Sequence, residues 1–70
     1  MMILDLFRAF RNLTDDEKIF IVIRGGKSLL LYKDDKMIHH NGMIKFKRDN
    51  VFDLEYRTVD ILSFSVCSGE

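Results

Sequence analysis

Proline is missing from this chain, cysteine occurs once and glycine four times in 70 residues. The single thiol, Cys67, excludes an internal disulfide, and no Cys/His set has the spacing of a zinc site. Net charge is also missing: 11 basic residues balance 11 acidic ones. Nucleic acid and anionic lipid are held by positive surfaces, so any such contact must come from a local patch. No apolar run is long enough to span a membrane. The opening MMILDLFRAFRNL lacks the basic start, the uninterrupted apolar stretch and the small-residue cleavage site of a signal peptide. These absences point to a cytoplasmic protein with no cofactor. The lack of proline implies a compact fold without a stiff linker.

What is present is a hydrophobic share of 47%, ordinary for a folded domain. A chain of this length forms one domain, residues 1–70, and buries a smaller fraction of its surface than a large protein does. Without disulfide or metal, it must rely on tight packing or on self-association.

Ile3, Leu6, Phe7, Phe10 and Leu13 recur at helical spacing, which predicts an amphipathic helix over 1–13. Its apolar stripe is expected to dock on the protein's own sheet; Asp5 and the short length weigh against a membrane-surface anchor. Thr14-Asp15-Asp16-Glu17 matches a capping box. The β-branched run Ile19–Ile23 behind it favours a strand, so 12–17 reads as a polar turn.

Antiparallel strands are expected over 18–67. Lys18–Arg24 pairs with Lys27–Lys33 across a two-residue Gly25-Gly26 turn, setting Val22 against Leu29 and Ile21 against Leu30. One face then carries Ile19, Ile21, Ile23, Leu30 and Tyr32, and the other Phe20, Val22, Leu29 and Leu31. Both faces are apolar and need cover, so Phe20, Val22, Leu29 and Leu31 are the expected oligomer interface. Asn41-Gly42 is a preferred type I′ turn between Lys36–His40 and Met43–Arg48. It sets His40 against Met43, His39 against Ile44 and Met37 against Phe46. Asp49-Asn50 turns the chain into Val51–Arg57. A last strand, Val59–Cys67, has Leu62, Phe64 and Val66 on one face, and 68–70 is a loose end.

Gly25-Gly26-Lys27-Ser28 invites comparison with a phosphate-binding loop. Position 21 holds Ile21 where that loop needs its first glycine, and a strand rather than a helix follows Ser28. The glycines are accounted for by the turn. His39 and His40 are neighbours on a strand and point to opposite faces, so they do not share a metal. Cys67 has no base beside it, Asp34-Asp35 and Asp15-Asp16-Glu17 read as acidic turns, and no enzyme constellation emerges. The densest basic cluster is Lys36, Lys45, Lys47 and Arg48 with His40, a candidate phosphate-contacting face.

Leu6-Phe7-Arg8-Ala9-Phe10-Arg11 resembles the end of the helix in Hfq, a bacterial member of the Sm-like family. Leu54-Glu55-Tyr56-Arg57-Thr58 with Ile61-Leu62-Ser63 resembles the Hfq segment Val-Tyr-Lys-His and the apolar strand after it. The resemblance implies a mainly β fold with one N-terminal helix, a small antiparallel barrel-like or strongly bent sheet, edge-paired rings and RNA binding. Tyr56, Arg57, Lys45, Lys47 and His40 would be the nucleic-acid contacts. Thr58 stands where Hfq has a histidine, two extra residues precede the last strand, and there are six strand pieces where the family has five. Two functions follow as expectations. One is a homo-oligomeric RNA-binding module; the other is a small accessory or viral protein that binds or inhibits another protein.

Overall fold

A computed structural model describes residues 2–68; Met1, at the start of the expected helix, and Gly69 and Glu70, in the expected loose end, lie outside the described residues. The chain runs α1 (Met2–Arg11), β1 (Glu17–Ile23), β2 (Lys27–Tyr32), β3 (Lys36–His40), β4 (Met43–Arg48), β5 (Phe52–Arg57), a 3-10 turn (Thr58–Asp60) and β6 (Ile61–Ser68). It is mainly β with one N-terminal helix, as expected.

The strands form two antiparallel sheets, ordered β2-β1-β6 and β3-β4-β5. The expected barrel-like sheet is not closed. Among the described residues no ladder joins β2 to β3 or β5 to β6. The breaks coincide with the turn at 33–35 and with the 3-10 turn, where the backbone leaves the extended conformation. Both sheets and the helix still feed one core: Ile3, Leu6 and Leu13, then Ile19, Ile21, Ile23 and Leu31, then Met37, Ile44, Phe46 and Ile61.

The helix is shorter than the expected 1–13. The Asn12 N–H reaches the carbonyls of both Arg8 and Ala9, and the Leu13 N–H bonds to the Phe10 carbonyl. This tightened last turn ends the helix at Arg11 and swings Leu13 into the core. The capping-box residues serve a turn instead. Glu17 Oε1 accepts from the Thr14 N–H at 3.0 Å, and Glu17 already begins β1.

The first hairpin corrects the expected register by one residue. Ile21 faces Leu29, Val22 faces Ser28 and Ile23 faces Lys27, across a three-residue loop, Arg24-Gly25-Gly26. Gly25 and Gly26 both have positive φ, 91° and 78°, which either loop length accepts. Burial decides between them. The expected pairing would put Tyr32 on the isoleucine face and bury a phenol hydroxyl that needs a partner. The observed pairing puts Leu29 and Leu31 there, and Leu31 is 0% exposed while Tyr32 is 47% exposed.

The second hairpin has the expected pairs throughout: His40 with Met43, His39 with Ile44, Met37 with Phe46. Asn41 and Gly42 have φ of 52° and 75°, as a type I′ turn requires. In β6, an irregularity opposite Val22/Ile23 sets Ile61 against Ile23 and leaves Leu62 without a partner in the ladder. Ile61 therefore enters the core, and Leu62 stays exposed.

Candidate functional site

The outer face of β3-β4-β5 follows from the ladder. Lys36, Lys47 and Asp53 form one rung, Ile38, Lys45 and Glu55 the next, and His40, Met43 and Arg57 the third. Four of the five expected nucleic-acid contacts, His40, Lys45, Lys47 and Arg57, share this face. Tyr56 does not. It pairs with Ile44 on the core side, and its ring lies 6.3 Å from that of Phe46. The basic face thus has no Phe, Tyr or Trp among the described residues of its three rungs, and it carries two carboxylates. Lys45 Nζ stands 4.0 Å from Asp53. Ile38, His40, Asn41, Met43, Lys45 and Glu55 line a shallow depression of about 460 Å³ on it. His40 Nε2 lies 3.1 Å from the Asn41 amide nitrogen. His39, on the other face, sits 6.2 Å from the Phe7 ring of the helix.

Arg57 is committed elsewhere. Its Nε donates to Asp60 Oδ2 at 3.0 Å, while Arg24 Nε donates to Asp60 Oδ1 at 3.0 Å. The Arg57 hydrogen bond, opposed by burial and helped by Arg24, holds the Asp60 carboxyl below its ordinary range. One carboxylate between two guanidiniums joins the first hairpin loop to the 3-10 turn. The Arg24 N–H also bonds to the Asp60 carbonyl at 2.8 Å.

A second polar cluster escaped the sequence reading. Asp35, read there as part of an acidic turn, is buried. Arg48 donates to it with two nitrogens, each at 2.8 Å, and also reaches the Leu30 carbonyl at 3.0 Å. The Tyr32 N–H donates to Asp35 Oδ2 at 2.7 Å. The guanidinium lies 4.5 Å from the Tyr32 ring and 4.7 Å from the Phe52 ring. Burial pushes the Asp35 carboxyl up, but the Arg48 and Tyr32 hydrogen bonds and the Arg48 charge outweigh it, so the carboxyl titrates below its ordinary 3.8. The cluster fastens β2 of one sheet to β4 of the other. It is a structural clamp, with both Asp35 oxygens and the Arg48 Nε and Nη2 engaged inside the chain.

The expected interface residues divide. Phe20 and Val22 lie on the outer face of β2-β1-β6 with Leu30 and Tyr32, whereas Leu29 and Leu31 face the core. This correction follows from the one-residue shift in register. The helix joins the core side, so it does not cover the outer face. Phe20, Leu30 and Tyr32 are 38–47% exposed there. Ser28, Ser63, Ser65 and Cys67 add small side chains to that face, and Lys18 lies on it with its Nζ 6.0 Å from the Tyr32 ring.

The acidic loop at 15–17 faces Lys33, whose Nζ sits 2.8 Å from Asp15. Among the described residues no group of three His, Cys, Asp or Glu side chains is placed to hold a metal ion. No described helix is long and apolar enough to cross a membrane. No protein-family model, characterised protein or solved structure matches the chain.

Proposed function

We propose that this chain is a non-enzymatic, self-associating binding module that acts by docking on another protein. The observation that supports it is the apolar surface a single copy leaves open after the helix has joined the core. Phe20, Leu30 and Tyr32 stand exposed on the outer face of the first sheet, while Leu62 and Val66 are exposed on its edge strand β6, Val66 on the other face opposite Ile19. Large exposed apolar side chains grouped on one sheet face are a common mark of a protein-binding surface. The mixed charges of the other outer face suit a protein partner better than a polyanion, because Asp53 and Glu55 would repel phosphates. Light scattering across a concentration series tests self-association. A single-copy mass at several hundred micromolar would remove it.

A second reading is Sm-like RNA binding. Counting β2 and β3 as one strand interrupted at 33–35 reduces six strand pieces to five, the Sm-like number, behind a short N-terminal helix. Lys45, Lys47, His40 and Arg57 on one face favour it. Tyr56, turned toward Phe46, and Arg57, held by Asp60, weigh against it. Titration with U-rich and A-rich oligoribonucleotides tests this reading. Tight binding that Arg57→Ala abolishes without unfolding would establish it over protein docking.

A further inference from the structure

Resting on the self-association proposed above, we infer that two copies pair through the open edge of β6, antiparallel and about a twofold axis. Two three-stranded sheets then become one of six. The two sheets have four edge strands, β2, β6, β3 and β5. Three of them are guarded against such pairing. On β2, Arg48 occupies the Leu30 carbonyl and Asp35 occupies the Tyr32 N–H. The edge strand β3 begins with Lys36 and ends with His39 and His40. The edge strand β5 carries Asp53, Glu55 and Arg57. In contrast β6, ILSFSVCS, has no charged side chain in eight residues. Edge strands are usually protected by charge, proline or a covering element, so an uncharged edge of this length is a template for another strand.

The sequence of β6 selects its own copy as the occupant. Antiparallel self-pairing must keep facing residues on one side of the sheet. The register centred on Phe64 sets Phe64 against the partner's Phe64 and Leu62 against the partner's Val66, with Ser63 against the partner's Ser65. Around the axis, from 62 to 66, one side of the joint is apolar and the other carries the serine hydroxyls. Leu62 and Val66 are 45–46% exposed in the single chain, and each gains an apolar neighbour in the pair. The apolar rim continues past the start of β6 into a groove of about 340 Å³ lined by Met2, Ile3, Thr58, Val59 and Ile61. A uniformly uncharged edge has nothing with which to select a charged peptide.

Sedimentation equilibrium of the full chain and two variants tests this. Ser63 and Ser65 are exposed, so far-UV circular dichroism should show both variants folded. S63K/S65K places like charges across the axis twice and should raise the dimer dissociation constant about tenfold. S63K/S65E places opposite charges there and should restore wild-type dimerisation. A dimer that neither variant changes, failure of S63K/S65E to restore it, or a larger ring would overturn the β6 pairing while leaving self-association intact. A wild-type monomer, including one that instead takes up an extended apolar peptide along β6, would overturn both.

Discussion

Replacing Arg48 with methionine should be among the most damaging changes to this fold that leave its hydrophobic core untouched. The substitution keeps most of the aliphatic stem and removes the guanidinium. Asp35 then loses two hydrogen bonds while its side chain stays 4% exposed. Breaking a buried ion pair from one side costs roughly 3–5 kcal/mol, because a charge is left unpaired in a poorly solvated place. The Arg48 side chain keeps 30% exposure, and solvent screening lowers the figure to about 2–4 kcal/mol. Loss of the two ring contacts lies within that range. A domain of this size has a total stability of roughly 3.5–10 kcal/mol. The variant should therefore melt roughly 10–25 °C below wild type, as read by circular dichroism and confirmed by urea titration. Replacing both partners, Asp35→Asn with Arg48→Met, removes the stranded charge and should recover at least about 1 kcal/mol relative to Arg48→Met alone. A single-variant cost under about 0.5 kcal/mol, the size of an ordinary surface change, would refute the clamp. So would a double variant less stable than the single one.

The same pair has a pH signature. The Asp35 carboxyl titrates lower in the folded chain than its ordinary 3.8, so its stabilisation is complete above about pH 4 and is lost as pH falls through the folded value. Urea titrations from pH 7 to pH 2 should show the gap between wild type and Arg48→Met narrowing below pH 4. Register is tested by neighbouring leucines. Leu31→Ala should cost roughly 2–5 kcal/mol and Leu30→Ala less than about 1 kcal/mol in urea unfolding of the monomer, and the reverse order would restore the two-residue turn. Gly42→Ala meets no steric obstacle but must hold a φ of +75°, so thermal melts should report a loss of about 1 kcal/mol.

Legibility in the sequence tracked how local the deciding physics was. Asn41-Gly42 fixes its own turn type, and the whole β3-β4 register followed from those two residues. Gly25-Gly26 permits loops of two or three residues, and the choice rested on whether Leu31 or Tyr32 entered a core assembled from distant elements. The helix was legible in its apolar stripe, but the tightening that turned Leu13 inward was not. Alternation put Leu62 on one face with Phe64 and Val66, and the irregularity opposite Val22/Ile23, which set Ile61 against Ile23, was not legible. Asp35 carried no signal at all, because its partner Arg48 lies beyond an intervening strand and turn. The basic face was legible as four side chains on one side of a sheet. The inward turn of Tyr56 follows from the same alternation once the pairing of β5 with β4 is known.

The pairing of β1 with β6 has a bearing on how the molecule comes together. Glu17 lies opposite Ser68, so the middle strand of one sheet waits for a segment from the far end of the chain. The β3-β4-β5 meander needs only its immediate neighbours. Distant contacts carry a larger closure entropy and slow the search. The meander is therefore the natural seed, with the strands around β1 zipping last, and a chain caught midway would present a β1-β2 ribbon whose isoleucines have yet to find shelter.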